Sequence, residues 1–198
     1  MLENSKVSYN IYVLEIIFPP STSQFIYYIV HIDLLQEGFS TMEYKTNVMR
    51  LLDKKKVNYK HYSYADTDAI SGIDVALVLG QSPNQVFKTL VTIGKSGKHY
   101  VFVVPVSEEL DLKKAAASIR EKSISMLKSK DLLSLTGYIH GGCSPIGMKK
   151  YFPTVIDHSA MELDTIIFSA GKIGYQVEIE LDELKKMIRF ELHDIVIK

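Results

Sequence analysis

The chain has a single cysteine, Cys143, among its 198 residues, and no tryptophan. A lone thiol excludes an internal disulfide framework and a cysteine-rich zinc site. It fits a reducing compartment. Glycine and proline are sparse, at 11 and 6 residues, which excludes collagen-like and long low-complexity stretches. Charge of one sign is missing as well. The 23 basic and 23 acidic residues cancel, so total charge points to no partner. No apolar run reaches the roughly 20 residues a membrane-spanning helix needs. What remains is an ordinary globular composition, 46% hydrophobic and 23% charged. A chain of this length buries a core without covalent staples.

Residues 1–41 do not resemble the rest. Two apolar runs, 11–18 and 25–32, flank Pro19-Pro20 and a Ser/Thr/Gln patch, and Glu15 interrupts the first. A secretory signal would open with a basic segment and close on a small-x-small site, and neither is present. Lys6 stands against Glu3, Glu15, Asp33 and Glu37, whereas residues 42–198 hold 22 basic and 19 acidic residues. Gln36-Glu37-Gly38 can be encoded by CAG-GAG-GGN, which contains AGGAGG, the purine-rich ribosome-binding sequence of bacterial messages. Met42 follows after a short spacer. Two readings stand: residues 1–41 are translated leader with Met42 as the initiator, or they are a genuine N-terminal hairpin or tail.

From Met42 onward the periodicity predicts a mixed order of elements. Helices are expected over 44–56, 71–79 with Gly80 as the stop, 111–119 with Asp111 in the first turn, 130–135 capped by Ser129, and 181–188. Strands are expected over 59–64, 85–93, 99–105, 123–127, 154–157, 165–168 and 176–179. Gly94-Lys95-Ser96-Gly97 reads as the turn of a hairpin. Strands outnumber helices without a strict βαβ alternation, which argues an α+β fold whose mixed sheet curls toward a barrel. No internal repeat or linker interrupts 42–198.

Three features carry chemistry. Lys88 sits in the apolar strand Val86-Phe87-Lys88-Thr89-Leu90-Val91 and shares a face with Val86 and Leu90. It is either an edge-strand gatekeeper or a pocket cation for a phosphate or a carbonyl. Residues 136–147 (TGYIHGGCSPIG) hold four glycines with Ser144 and Pro145. Such a loop allows close approach of a ligand to main-chain N–H groups, or is simply a long turn. Ser169-Ala170-Gly171-Lys172-Ile173-Gly174 lacks the Gly-Lys-Ser/Thr of a phosphate-binding loop, which excludes a nucleotide triphosphatase. Cys143 with His140 or His158 could form a nucleophile–base pair, but a small buried filler is the commoner role for such a cysteine. The six histidines show no metal-ligand spacing. Basic residues recur at 54–56, 113–114, Arg120, Lys122, Lys128, Lys130 and 149–150. Each is an ordinary solvated charge, and several converging would form a footprint for a polyanion such as RNA.

Taken together, residues 85–91, 110–115, 137–147, 153–157 and 169–174 resemble the YbaK/EbsC family, in motif order and spacing. These proteins are free-standing relatives of the editing domain of bacterial prolyl-tRNA synthetases. The resemblance covers 42–195, excludes 1–41, and lies nearest the family's YbaK-type Cys-tRNA(Pro) deacylases. It implies an α+β editing-domain fold with a barrel-like sheet and a pocket for the 3′ end of an aminoacyl-tRNA. Lys88 matches the pocket lysine, and Gly141 the glycine whose backbone lies by the substrate ester; these two are the expected catalytic positions. Tyr64, Gly142, Ser144, Ser169 and Gly171 are the expected substrate-binding positions. The sequence departs at Gln176, where close relatives carry an aspartate, and at 66–71, which is short and lacks their phenylalanine. The resemblance further implies a cytoplasmic enzyme without cofactor or metal, away from membranes, with prolyl-tRNA synthetase as a candidate partner.

An aminoacyl ester is already activated, and a cysteinyl ester brings its own nucleophile. Substrate-thiol attack with release of a thiolactone is therefore the expected chemistry, clearing Cys-tRNA(Pro) and extending in principle to Cys-tRNA(Cys). Two alternatives stay open: an Ala-tRNA(Pro) deacylase that uses water, and a non-catalytic module that binds tRNA or a synthetase.

Overall fold

The computed structural model describes residues 44–197. The leader reading concerns residues 1–41 and lies outside the described residues.

The local signals produce the expected order as far as residue 185, and a strand that the pattern did not predict follows. Helix α1 (Asn47–Lys54) starts where Thr46 Oγ1 accepts the Met49 N–H at 3.2 Å. It turns Val48, Met49 and Leu52 inward. Strand β1 (Lys60–Ser63) leads to α2 (Gly72–Val78), which is capped reciprocally by Ser71 and Asp74. Strands β2 (Phe87–Gly94) and β3 (His99–Pro105) form the hairpin. Helix α3 (Leu112–Ser118) begins at Asp111, whose carboxylate accepts the Lys113 and Lys114 N–H groups. Strand β4 (Ile124–Met126) and helix α4 (Ser129–Thr136) follow. The N-cap of α4 is Lys128, not Ser129, and it makes no side-chain cap bond. After a long loop come β5 (Thr154–Asp157), a 3-10 turn (His158–Glu162), β6 (Ile166–Ser169), β7 (Tyr175–Ile179), α5 (Leu181–Lys185) and β8 (Phe190–His193).

The strands form two sheets, β1-β7-β6 and β4-β2-β3-β5-β8. The larger is mixed, because β3, β5 and β8 run parallel while the other pairs are antiparallel. The sheets meet at one corner, where Val86 bridges Ile167 and the Ile167 N–H donates to the Gln85 carbonyl at 2.9 Å. The α+β class expected from the pattern is present. The curl is partial: the sheets touch at this corner and do not close into a barrel.

Alternation along the strands divides the core. Phe87, Val91, Val101, Val103 and Ile156 face the smaller sheet, meeting Ile166, Phe168, Val177 and Ile179. Tyr100, Phe102, Val104 and Val155 point the other way, under Ala115 and Ala116 of α3. Being covered on both faces is why β3 reads as an unbroken apolar run. Each large side chain so buried contributes about 1.5–3 kcal/mol. Asp157, fully buried at the end of β5, accepts the Ser159 N–H at 3.1 Å and the Ile195 N–H at 3.0 Å. It thereby ties the segment after β8 to the sheet.

Candidate functional site

Strand β2 pairs with β4 only from Thr92 onward and touches β6 only at Val86. Between those points one side of β2 is open. The Val106 N–H donates to Val86 O and the Gly94 N–H to Lys98 O, so even-numbered residues of β2 bond to β3. The odd-numbered ones face the gap. Val91 O is taken there by the Leu127 N–H. The main-chain groups of Thr89 are left facing the opening without a backbone partner.

A cavity of about 310 Å³ fills this gap. Its wall brings together Tyr64, Lys88, Gly141, Ser169 and Gln176 with Cys143. Lys88 is half-buried and makes no hydrogen bond or ion pair among the described residues. Burial pushes its pKa down, and the fields of Glu109 and Glu108 oppose that only in part. β2 lies inside its sheet, yet at Lys88 it is paired on one side alone. The lysine thus has the strand position of an edge residue and the surroundings of a pocket cation.

Gly141 has φ +80 in the turn that the Gly142 N–H closes on the Ile139 carbonyl at 3.1 Å. A methyl group there would meet nothing nearer than Ile173 at 3.6 Å, so the left-handed backbone is what calls for glycine. The loop carrying it is fixed from beneath. Tyr138 donates its hydroxyl to the Ile146 carbonyl at 2.6 Å, and the Lys149 N–H donates to Thr136 O at 2.9 Å. Tyr64 is held by its N–H to the Gly174 carbonyl at 2.8 Å. Ser169 and Gln176 are cross-strand partners in β6 and β7.

The cavity wall does not include Gly142, Ser144 or Gly171. Gly142 is buried beneath the loop, against the backbone of Lys172 and Ile173. Ser144 is fully buried and its Oγ accepts the Ile146 N–H at 3.3 Å, so its hydroxyl serves the turn. Gly171 packs against Val48 and Tyr138 and donates its N–H to Ser169 Oγ at 3.3 Å. These three shape the wall from behind.

Two wall residues escaped the sequence reading as site residues. Thr89 Oγ1 and Gln176 Oε1 are buried with no hydrogen-bond partner among the described residues. Gln176 alternates with the apolar residues of β7 as Glu178 does, so its polarity did not single it out, and nothing in the sequence marked Thr89. Burial lifts the Cys143 thiol to about 12, leaving roughly one part in 10⁵ as thiolate at neutral pH. No hydrogen bond joins it to a histidine among the described residues. Such a wall offers a cation, a left-handed main-chain turn and unfilled polar positions, without an activated nucleophile. It suits a ligand that brings its own reactivity.

The comparisons define the class. The family described as "Aminoacyl-tRNA editing domain" matches residues 68–187, and the chain belongs to it. It is 44% identical over 155 residues to a protein of Enterococcus faecalis provisionally named Cys-tRNA(Pro)/Cys-tRNA(Cys) deacylase EbsC. That match covers 78% of this chain and 94% of the relative. A "Proline--tRNA ligase" of Kosmotoga olearia is 24% identical over 141 residues, 70% of this chain and 24% of that larger protein. A solved structure of a candidate trans-editing enzyme for prolyl-tRNA synthetase aligns with TM-score 0.66 at 21% identity, over 76% of this chain and 95% of that one. Another, of a hypothetical protein, aligns with TM-score 0.67 at 18% identity, over 76% and 99%. At these identities the structural matches speak for the fold alone. Among the described residues no helix is long and apolar enough to cross a membrane.

Proposed function

We propose that the chain is a free-standing deacylase that clears cysteine from mischarged tRNA(Pro), using the thiol of the substrate itself. The observation that carries the reading is the chemistry of the cavity wall. The one protein thiol there is held protonated, while Lys88 and the Gly141 turn remain to receive an ester. The identity with the Enterococcus relative supports cysteine as the amino acid. The similarity to part of a proline–tRNA ligase supports prolyl-tRNA synthetase as the partner that delivers the charged tRNA. The work belongs with translation, in the cytoplasm.

In this mechanism the substrate Sγ attacks the carbonyl carbon of its own ester. A C–S bond forms and the C–O bond to the ribose breaks. The thiol proton passes to the departing ribose oxygen, leaving uncharged tRNA and a cyclic thiolactone. Holding the thiol in the attack geometry supplies most of the acceleration. Main-chain N–H groups of the Gly141 turn receive the negative charge on the carbonyl oxygen, and Lys88 holds the ribose–phosphate end. Ser169, Tyr64 and the unpartnered oxygens of Thr89 and Gln176 orient the aminoacyl group.

Deacylation of purified Cys-tRNA(Pro) against an equal amount of Ala-tRNA(Pro) tests this. The cysteinyl ester is expected to be cleaved much faster. Equal or faster cleavage of the alanyl ester would mean attack by water, and cleavage of neither would leave a binding module.

A further inference from the structure

A larger opening lies away from the Lys88 cavity. It is a cleft of about 1100 Å³ between the C-terminal half of α3 and the β5–β8 edge of the larger sheet. It shares Tyr151 and Arg189 with an adjoining hollow of about 470 Å³ beside α5. Together the two are lined by the basic residues Lys114, Arg120, Lys185, Lys186 and Arg189, against the acidic Glu191 and Asp194. Both acids are engaged, Asp194 with Lys114 Nζ at 3.0 Å and Glu191 with His193 Nε2 at 3.1 Å, and the lysines are too, Lys185 with Asp182 at 2.8 Å and Lys186 with Glu183. The guanidinium groups of Arg120 and Arg189 are exposed and make no ion pair or hydrogen bond among the described residues.

Arg120 is unusual in its backbone. It ends α3 at φ +58, a left-handed position that favours glycine. The turn that places it there is closed by the Arg120 N–H on the Ala117 carbonyl at 3.1 Å and the Glu121 N–H on the Ala116 carbonyl at 2.9 Å. Tyr151, 70% exposed, offers an aromatic face beside the two arginines. Unpaired guanidinium groups suit phosphate oxygens, and an exposed ring suits a base or ribose.

The cleft and Lys88 lie on one side of the sheet. Leu90, Phe102, Val155 and Glu191 are aligned across β2, β3, β5 and β8. Phe102 and Val155 pack under α3, and Lys88 shares their face. Three strand spacings, ~14 Å, separate β2 from β8.

We propose that this cleft binds the phosphodiester backbone of the tRNA body, with Arg120 and Arg189 on successive phosphates and Tyr151 against the strand. The inference rests on the tRNA reading of the Lys88 cavity and adds to it where the rest of the substrate lies. It draws Arg120, one of the scattered basic residues in the sequence, into one footprint with Arg189.

The test is equilibrium binding of uncharged tRNA(Pro) at several salt concentrations, so the result does not depend on whether the chain deacylates anything. The double variant Arg120→Gln/Arg189→Gln is expected to bind at least ~10-fold more weakly, with the slope of log K against log salt reduced by about 1.5. Arg120→Gly separates the backbone from the charge. It relieves the left-handed strain, so it is expected to melt higher than wild type and yet bind more weakly. Cleavage of a short cysteinyl–CCA fragment, which reaches only the Lys88 cavity, is expected to stay within about twofold of wild type. Unchanged tRNA affinity and salt slope in the double variant would overturn the proposal. That holds even if the variant lost activity only with prolyl-tRNA synthetase present, a result that would make the cleft a protein interface.

Discussion

Lys88 shows how one residue can be read from both sequence and surroundings. A desolvated ammonium costs the fold something and is tolerated where it serves a ligand. Lys88→Ala is expected to lower kcat/KM by about 30- to 1000-fold, the 2–4 kcal/mol typical of one lost transition-state contact, while circular dichroism shows the fold intact. Lys88→Arg is expected to fail as well, because the wider fork does not fit the place of a point charge. The lowered pKa carries a sign for stability too. The folded state disfavours the charged form, so the penalty is full below the lowered pKa and fades as pH rises from there toward 10.5. Urea melts are therefore expected to find Lys88→Met more stable than wild type at pH 7, with the advantage shrinking in alkali. Cys143 makes the opposite case. Its thiol is buried and pushed up to about 12, so native protein should resist iodoacetamide at pH 8 and react once unfolded in urea. Cys143→Ala is expected to keep activity within a few-fold of wild type. Rapid alkylation of the folded protein, with loss of turnover in the alanine variant, would promote it to nucleophile.

At the scale of elements, the structure depends on contacts between segments far apart in the chain. Asp157→Ala removes the acceptor for two N–H groups, that of the buried Ile195 and that of the half-buried Ser159. Thermal melts should find it less stable by roughly 3 kcal/mol. Gly171→Ala would place a methyl 2.8 Å from Val48 Cγ2 and 2.9 Å from Tyr138 Cε1, at φ +84. Strain and overpacking together should cost about 2–4 kcal/mol. Some of this architecture was legible in the sequence. His99–Pro105 was readable to the residue because a continuous apolar run marks a strand buried on both faces, and Thr154–Asp157 because β-branched residues follow directly on Pro153. Asp111, expected in the first turn of α3, stands one residue earlier as its N-cap, so the acid marked the start of the helix without fixing its own place in it. Strand β8 was missed: Phe190 and Leu192 alternate with Glu191 and His193 for barely one period, and it pairs only with the distant β5. The site divides the same way. Lys88 is conspicuous because charge breaks an apolar strand. The open main chain of Thr89 depends on where β4 and β6 stop along β2, which no local pattern records.

For the whole molecule, the matched family segment and every wall residue of the cavity lie downstream of Met42. A chain lacking residues 1–41 is therefore expected to keep its activity within about twofold and its Tm within about 2 °C, no more than the shift that one lost kcal/mol produces in a chain of this size. A large fall in Tm would contradict the leader reading and assign the apolar runs a packing role. The editing fold brings a cation and a left-handed main-chain turn to one opening between two sheets, and leaves the reactive group to the substrate. That division of labour is the central claim, and blocking the substrate thiol tests it most directly. Cys-tRNA(Pro) and S-methyl-Cys-tRNA(Pro) differ by one methyl group on the attacking atom, so turnover of the two by the same enzyme isolates that atom. The account predicts rapid deacylation of the first with thiolactone as the released product, and no enzyme-dependent deacylation of the second. Rapid release of S-methylcysteine would contradict it, because that cleavage requires attack by water or by a group of the protein.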